Sequence, residues 1–292
     1  MYYYIINPTA GRGAINSIQD KLRDQLTQLG ISGEFVKTTG AGDATKLARD
    51  AAAKGYTTIV AVGGDETVSE VMNGIDTEKI AIGIIPIGNS NKLANHLGLM
   101  SWQQALPILA GRRLASYRLI AAGQKYFLSN LTIGFETDMD KQLDNPPKKL
   151  VGKMKQFRKT WGHARNFDTL DCKIKVDDDY ELSCQLFTLT IANQKFLNPA
   201  AENKLVISIA DQPGRGQLTS YLWRRGKHDQ HHGDHVTTRI FADRVQIETA
   251  PTTGIIADGK VSGRTPIAIR LTDRQVRFIC DKPVSAFKPQ KS

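Results

Sequence analysis

Three groups of residues have types and spacings that could do chemistry. Gly63-Gly64-Asp65-Glu66-Thr67 follows the apolar run Ile59-Val60-Ala61-Val62 and precedes Val68, Val71, Met72 and Ile75 at helical spacing. A strand, a glycine turn and a helix start direct backbone N–H groups and a helix N-terminus toward one point, where the usual occupant is an anion. Glu66 is the odd member, because it sets a negative charge in that path. His228, His231, His232 and His235 form a second group, with a spacing able to hold Zn²⁺ or Ni²⁺. Gly226 and Gly233 beside them read equally as an exposed, solvated loop. The third group runs from Pro146 to Trp161. Leu150, Met154, Phe157 and Trp161 share one helical face, and the remainder is basic, with no acid between Asp144 and Asp168. Such a helix can lie on an anionic membrane through 148–161, or pack its apolar face on the protein with its lysines in water.

The elements that must position these groups follow from the hydrophobic pattern. Tyr2–Ile6 reads as a strand ending at Asn7-Pro8, and Gly11-Arg12-Gly13 as a flexible turn. Ile15, Ile18, Leu22, Leu26 and Leu29 form a helical stripe closed by Gly30. A strand over 33–38 follows, then Asp43 as N-cap of a helix over 44–54, strand 59–62 and helix 67–74. Next come a nearly all-apolar strand over 80–85 and a helix over 91–97. Repeated strand–helix units predict a parallel sheet with helices on its faces. Beyond residue 120 the pattern is of short strands over 125–133, 170–176, 182–192, 204–209, 239–240, 244–248 and 266–271, with one helix around 148–165. The expected fold class is therefore α/β plus all-β. An α/β domain spans 1–120, with the tail 281–292 able to return to it. An antiparallel, sandwich-like β domain spans 121–280.

The 292 residues suffice for two such domains, and 40% hydrophobic with 23% charged residues is the profile of a soluble globular protein. No apolar run approaches the ~20 residues that span a bilayer, and MYYYIINP reads as a buried strand, not a signal peptide. Cys172, Cys184 and Cys280 are widely spaced with no CxxC pair, which argues against a disulfide framework and fits a reducing cytosol. A formal net charge of +10 favours anionic partners without choosing among them. Nucleic acid is not expected, since aromatics are not interleaved with the basic residues in a recognised module. The expected location is the cytoplasm, with a peripheral position at the inner membrane surface if 148–161 meets lipid. A homodimer stays open.

Asn7-Pro8-Thr9-Ala10-Gly11 resembles the NPxSG turn that opens the diacylglycerol kinase catalytic family. Residues 63–74, GGDETVSEVMNG, resemble its GGDGTxxEvxNG loop, and IPIGNSNKLA over 85–94 resembles its PxGTxND-[FL]-A stretch. Weaker echoes follow at Asn130 with Gly134-Phe135, at Ile191-Ala192-Asn193, at Pro199-Ala200 and at Asp258-Gly259, so the resemblance covers essentially the whole chain. It implies a bacterial, soluble type of lipid kinase that moves the γ-phosphate of ATP to a lipid hydroxyl such as that of diacylglycerol, with ATP and Mg²⁺ as cofactors. Phosphoryl transfer needs positioning and charge neutralisation more than covalent chemistry. The resemblance implies nucleotide contacts at Asn7, Thr38, Gly63, Gly64, Asp65, Glu66, Thr67, Asn89 and Asn91. It puts Asp65 in the Mg²⁺ and water network, and gives Asp65, Glu136 and the position of Lys260 catalytic roles.

The departures matter as much. Glu66 replaces a glycine, Asn89 a threonine and Lys92 an aspartate; Glu136 replaces an aspartate, and Lys260 the glutamate expected as general base. Asn203-Lys204 stands where the family has Asp-Gly at a structural Mg²⁺ site. A lysine acts as a base only with a strongly lowered pKa. Either Glu66 pairs with Lys92 or Lys260 in a charge-swapped site, or the chain is a catalytically silent relative that binds nucleotide or lipid. An NAD kinase shares the GGD loop, but the NPTAG opening and the PIGNSNKLA stretch fit the lipid branch better.

Overall fold

In a computed structural model of the chain, the described residues are 2–89, 91–135, 137, 150–194, 201–214, 218–219, 238–258 and 260–281, without the side chains of 150–156 and 260. They divide into two compact units, one of residues 1–129, 195–202 and 272–292, the other of 130–194 and 203–271.

In the first unit the elements run β1 (Tyr2–Ile6), α1 (Ile15–Gln28), β2 (Gly33–Lys37), α2 (Asp43–Ala53), β3 (Thr58–Gly63) and α3 (Asp65–Gly74). They continue with β4 (Ala81–Pro86), α4 (Lys92–His96), α5 (Trp102–Gly111), β5 (Leu114–Ala122) and β6 (Lys125–Phe127). Strands β2, β1, β3 and β4 lie in that order and are all parallel. Alternate residues point to opposite faces, and both faces are covered. Tyr3, Ile5, Ile59, Ala61, Ile82 and Ile84 pack with residues of α2, α3 and α4. Tyr4, Ile6, Val60, Val62 and Ile85 pack with Ile15, Leu22 and Leu26 of α1 and with Leu106 and Leu109 of α5. Double cover explains why β1, β3 and β4 are buried along their whole length instead of alternating, whereas the edge strand β2 is only partly buried.

The second unit holds β7 (Asn130–Gly134), α6 (Leu150–Arg165), β8 (Leu170–Val176), β9 (Tyr180–Leu186), β10 (Thr188–Asn193) and β11 (Leu205–Ala210). Then come β12 (Thr238–Ala242), β13 (Arg244–Ala250), β14 (Gly254–Ala257), β15 (Lys260–Arg264) and the start of the long β16 (Ile267–Ile279). Its strands are antiparallel, ordered β12-β11-β10-β7-β14-β15 in one sheet and β16-β13-β8-β9 in the other. The expected fold class, a parallel α/β sheet with a separate antiparallel β region, is what the chain adopts. Strand β16 serves both units: Ile267–Arg270 pair with β13, and further on Arg277 and Phe278 pair in parallel with β4.

Several expected elements need correction. The single strand expected over 125–133 is two, β6 in the first unit and β7 in the second, with a bend at Leu128-Ser129. The strand expected over 182–192 is likewise β9 and β10, in different sheets, broken at Phe187. Phe187 leaves the ladder because its N–H donates to the Ala210 carbonyl and its own carbonyl accepts from Phe135. The strand expected to end at 271 continues to Ile279. Asp43 is the first residue of α2, not its cap; Gly42, at φ +81°, precedes the helix.

Candidate functional site

The site is built at the carboxyl ends of β1, β2 and β3. The Asn7 N–H donates to the Val62 carbonyl (3.0 Å) and the Thr38 N–H to the Ile6 carbonyl (2.8 Å), so the chain leaves all three strands at one level. Asn7 then holds its own turn: its Oδ1 accepts from the Thr9 N–H (3.1 Å) and hydroxyl (2.8 Å), while its Nδ2 donates to Thr67 Oγ1 at 3.3 Å. The three motifs separated in sequence meet here. Gly11, at φ +57°, lies so close to the chain after β4 that a Cβ on it would sit 2.1 Å from the Ile87 carbonyl oxygen. A Cβ on Gly88 would sit 2.5 Å from the Cα of Gly64. The Ile87 and Gly88 N–H groups both reach the Gly63 carbonyl, at 3.0 and 3.3 Å. Any side chain at these positions would push the loops apart.

The carboxylates of the glycine-loop motif tie neighbouring helices to the loop. Asp65 accepts the Lys92 N–H on Oδ2 (2.9 Å) and the Leu93 N–H on Oδ1 (3.0 Å), capping α4 from outside. Glu70 does the same for α2, taking the Gly42 N–H (2.8 Å) and the Ala44 N–H (3.2 Å). Helix starts carry orphan N–H groups and partial positive charge, and carboxylates satisfy both. Asn73 grips β6 through two bonds to Tyr126, one to its carbonyl (2.8 Å) and one from its N–H (2.9 Å). In the loop after β2, Asp43 Oδ2 accepts from the Thr39 N–H (2.9 Å) and hydroxyl (3.1 Å), and these bonds hold its carboxyl below the ordinary 3.8.

Between these loops lies a cavity of about 210 Å³, lined chiefly by Asn7, Thr38, Thr39, Glu66, Thr67 and Glu70. It is smaller than the roughly 300–1,000 Å³ of a typical small-molecule pocket, so it fits a part of a nucleotide-sized ligand. Helix α3 begins at Asp65, two residues earlier than expected, so Glu66 stands in its first turn. A carboxylate there is favoured by the unpaired N–H groups of the helix start, which accounts for an acid in a glycine loop. Of the two lysines offered as partners of Glu66, Lys92 makes no ion pair with it among the described residues, and the Lys260 side chain lies outside them.

The structure thus gathers Asn7, Thr38, Glu66 and Thr67 on the cavity wall, above Gly63 and Gly64. Asp65 and Asn91 stand on the α4 side, where Asn91 precedes the helix at φ +48° and donates from Nδ2 to the Gly88 carbonyl (2.7 Å). Asn89 is exposed. Lys260 opens β15, its backbone opposite Ala257. Its side chain, Glu136 and the four histidines over 228–235 lie outside the described residues. Asp258 and Asn130 are held together in the second unit by two bonds, the Asp258 N–H to the Asn130 carbonyl (2.9 Å) and the Asn130 N–H to Asp258 Oδ1 (3.2 Å). On α6, Phe157 and Trp161 pack against Phe135, Phe187, Ala164 and Leu218, and Trp161 Nε1 donates to Thr219 Oγ1. That much of the proposed membrane face is turned onto the protein. Among the described residues no helix is long and apolar enough to cross a membrane.

Sequence reasoning missed the capping roles of Asp65 and Glu70. No local signal carries them, because their partners lie 26 to 28 residues away. Thr39, Gly40 and Ala41 also line the cavity unforeseen, although the Thr-Thr-Gly-Ala-Gly run marks a loop between strand and helix.

A parallel sheet of order 2-1-3-4 reverses direction between β1 and β3, and ligands of open α/β sheets bind in the crevice at such a point. Fold and site place the first unit in that class of protein. Residues 1–121 match the family model described as diacylglycerol kinase catalytic domain, so this part of the chain is similar to that family. It is 25% identical over 283 residues to a diacylglycerol kinase of Bacillus subtilis (strain 168), covering 90% of each chain. It is 24% identical to a diacylglycerol kinase of Staphylococcus saprophyticus, covering 90% of this chain and 89% of the relative. A solved structure of a diacylglycerol kinase from Bacillus anthracis str. Sterne superposes with a TM-score of 0.71 at 22% identity, covering 96% of each chain, which is a likeness of fold.

Proposed function

We propose that this chain is an ATP-dependent lipid kinase that transfers the γ-phosphate to a lipid hydroxyl such as that of diacylglycerol. The observation that carries this reading is the convergence of the three glycine-bearing loops on the switch point of the parallel sheet, beside the cavity of Asn7, Thr38, Glu66 and Thr67. In it the cavity takes the nucleoside part, and the backbone around Gly63, Gly64 and Gly88 takes the polyphosphate. Asn89 and Asn91 flank the phosphates, and the glycines are indispensable because the loops touch backbone to backbone.

The oxygen donors at the loop, from the Asp65 and Glu66 carboxylates and the Thr67 hydroxyl, suit Mg²⁺. This ion commonly binds through one or two carboxylates, waters and substrate phosphates. When bound, it neutralises phosphate charge. Asp65 keeps its α4 bonds in this scheme and offers its remaining lone pairs. Glu136 and Lys260 occupy the two further positions to which the family resemblance gives catalytic roles, Lys260 in place of the expected general-base glutamate.

A second reading, a silent relative that binds nucleotide or lipid without transfer, is favoured by one observation: both oxygens of Asp65 already serve α4. One experiment separates the two. Calorimetric binding of ATP with Mg²⁺ is measured beside transfer of labelled phosphate into diacylglycerol vesicles. Transfer supports the kinase, binding without transfer to any lipid of a panel supports the silent relative, and no binding at millimolar ATP rejects the kinase.

A further inference from the structure

Cys172 and Cys184 are twelve positions apart in sequence and stand directly opposite each other on the antiparallel strands β8 and β9. Directly opposed residues of an antiparallel pair have Cα atoms about 4.5 or 5.5 Å apart and side chains on the same face. Both spacings fall within the roughly 4.4–6.8 Å that a disulfide spans. The two thiols are free. Cys172 is buried, with Leu170, Ile174 and Val176 along the inner face of β8, whereas Cys184 is only half-buried. Strand β9 ends its sheet, with β8 as its ladder partner. One thiol of the pair is therefore within reach of a solute, and the other waits directly behind it.

We propose that Cys172 and Cys184 form a modification site, a thiol pair that a low-molecular-weight disulfide converts into a cross-strand disulfide on the β8–β9 hairpin. The Cys184 thiol loses its proton and its sulfur attacks one sulfur of the small disulfide, releasing the first small thiolate. Cys172 then loses its proton and attacks the Cys184 sulfur, releasing the second. The small disulfide is reduced to two thiols, which take up the two protons, and the two cysteines are oxidised by two electrons. Burial pushes the Cys172 thiol up to about 12, and burial with the nearby Asp211 raises that of Cys184. Thiolates are the attacking species, so the reaction quickens as pH rises. Cys280 is buried in the first unit, facing no second cysteine, and serves as the internal control.

The full-length chain, fully reduced, is incubated with oxidised glutathione at mildly alkaline pH. It is then quenched, unfolded, alkylated and mapped by mass spectrometry. The expected result is loss of two of the three alkylatable thiols and a peptide pair joined through 172 and 184, reversed by dithiothreitol. In Cys172→Ala the glutathione is expected to stay on Cys184 as a stable mixed disulfide, and in Cys184→Ser the Cys172 thiol is expected to remain alkylatable. Three alkylatable thiols after exposure of the wild type, or a persistent glutathione adduct on its Cys184, would overturn the proposal.

Discussion

The carboxylates of Asp65 and Glu70 each bridge two backbone N–H groups at the start of another helix, and Glu66 between them faces the cavity. Residue identity was legible in the motif, but this division of labour was not, since a capping partner on a distant helix leaves no mark beside the acid. Replacing Asp65 by alanine removes an N-cap acceptor and is expected to cost about 1 kcal/mol of stability. A shift of the urea midpoint would register this apart from any loss of transfer. Glu66 makes a different prediction. Like charges repel most when no cation lies between them, so Glu66→Gly should tighten binding of metal-free ATP about five- to tenfold and change Mg²⁺-ATP binding much less. Titration calorimetry with and without the ion checks it, and an unchanged metal-free affinity would place Glu66 away from the phosphates.

At the scale of elements, helices α2 and α3 approach so closely that a Cβ on Gly74 would lie 2.4 Å from the Thr45 carbonyl oxygen. Glycine to alanine in a helix normally stabilises by about 0.5–1 kcal/mol. Here the added methyl meets backbone, so Gly74→Ala is expected to destabilise by about 1–3 kcal/mol. Gly111 in α5 has open space around it, and Gly111→Ala should be neutral or mildly stabilising. Thermal unfolding of the two variants tests the contrast in sign. The elements also show where pattern reading stops. The parallel strands were legible because double burial makes them apolar runs with glycine turns behind them. The breaks at Leu128-Ser129 and Phe187 were not, because strand-forming residues run on across both, and no glycine or proline interrupts 125–133 or 182–192 where the chain changes sheet.

For the molecule as a whole, burial keeps several acids in their neutral form. It raises the hydroxyls of Tyr4 and Tyr117 above their ordinary 10.0, and the thiols of Cys172 and Cys280 above their ordinary 9.0. A group raised on folding contributes fully below its unfolded value and loses that contribution as pH climbs toward the folded one. Stability is therefore expected to be flat at neutral pH and to decline once pH exceeds 9, with loss of the Tyr4 hydroxyl bond to the Ile31 carbonyl among the causes. On the acid side Asp43, held low by Thr39, begins to lose its contribution only as pH falls toward and below 3.8. A series of denaturant melts across pH follows both limbs.

Strand β16 has a further consequence, for the order in which a ribosome can deliver a finished fold. Thr77 donates to the Gln275 carbonyl, 198 residues later, and Val276, Phe278 and Cys280 complete the core beneath α2 and α3. Until those residues emerge, β4 lacks its partner on that side, and an open strand edge invites pairing with other chains. All of the second unit, 130–194 and 203–271, is made before them. The unit that carries the candidate site is begun before the second unit and closed after it.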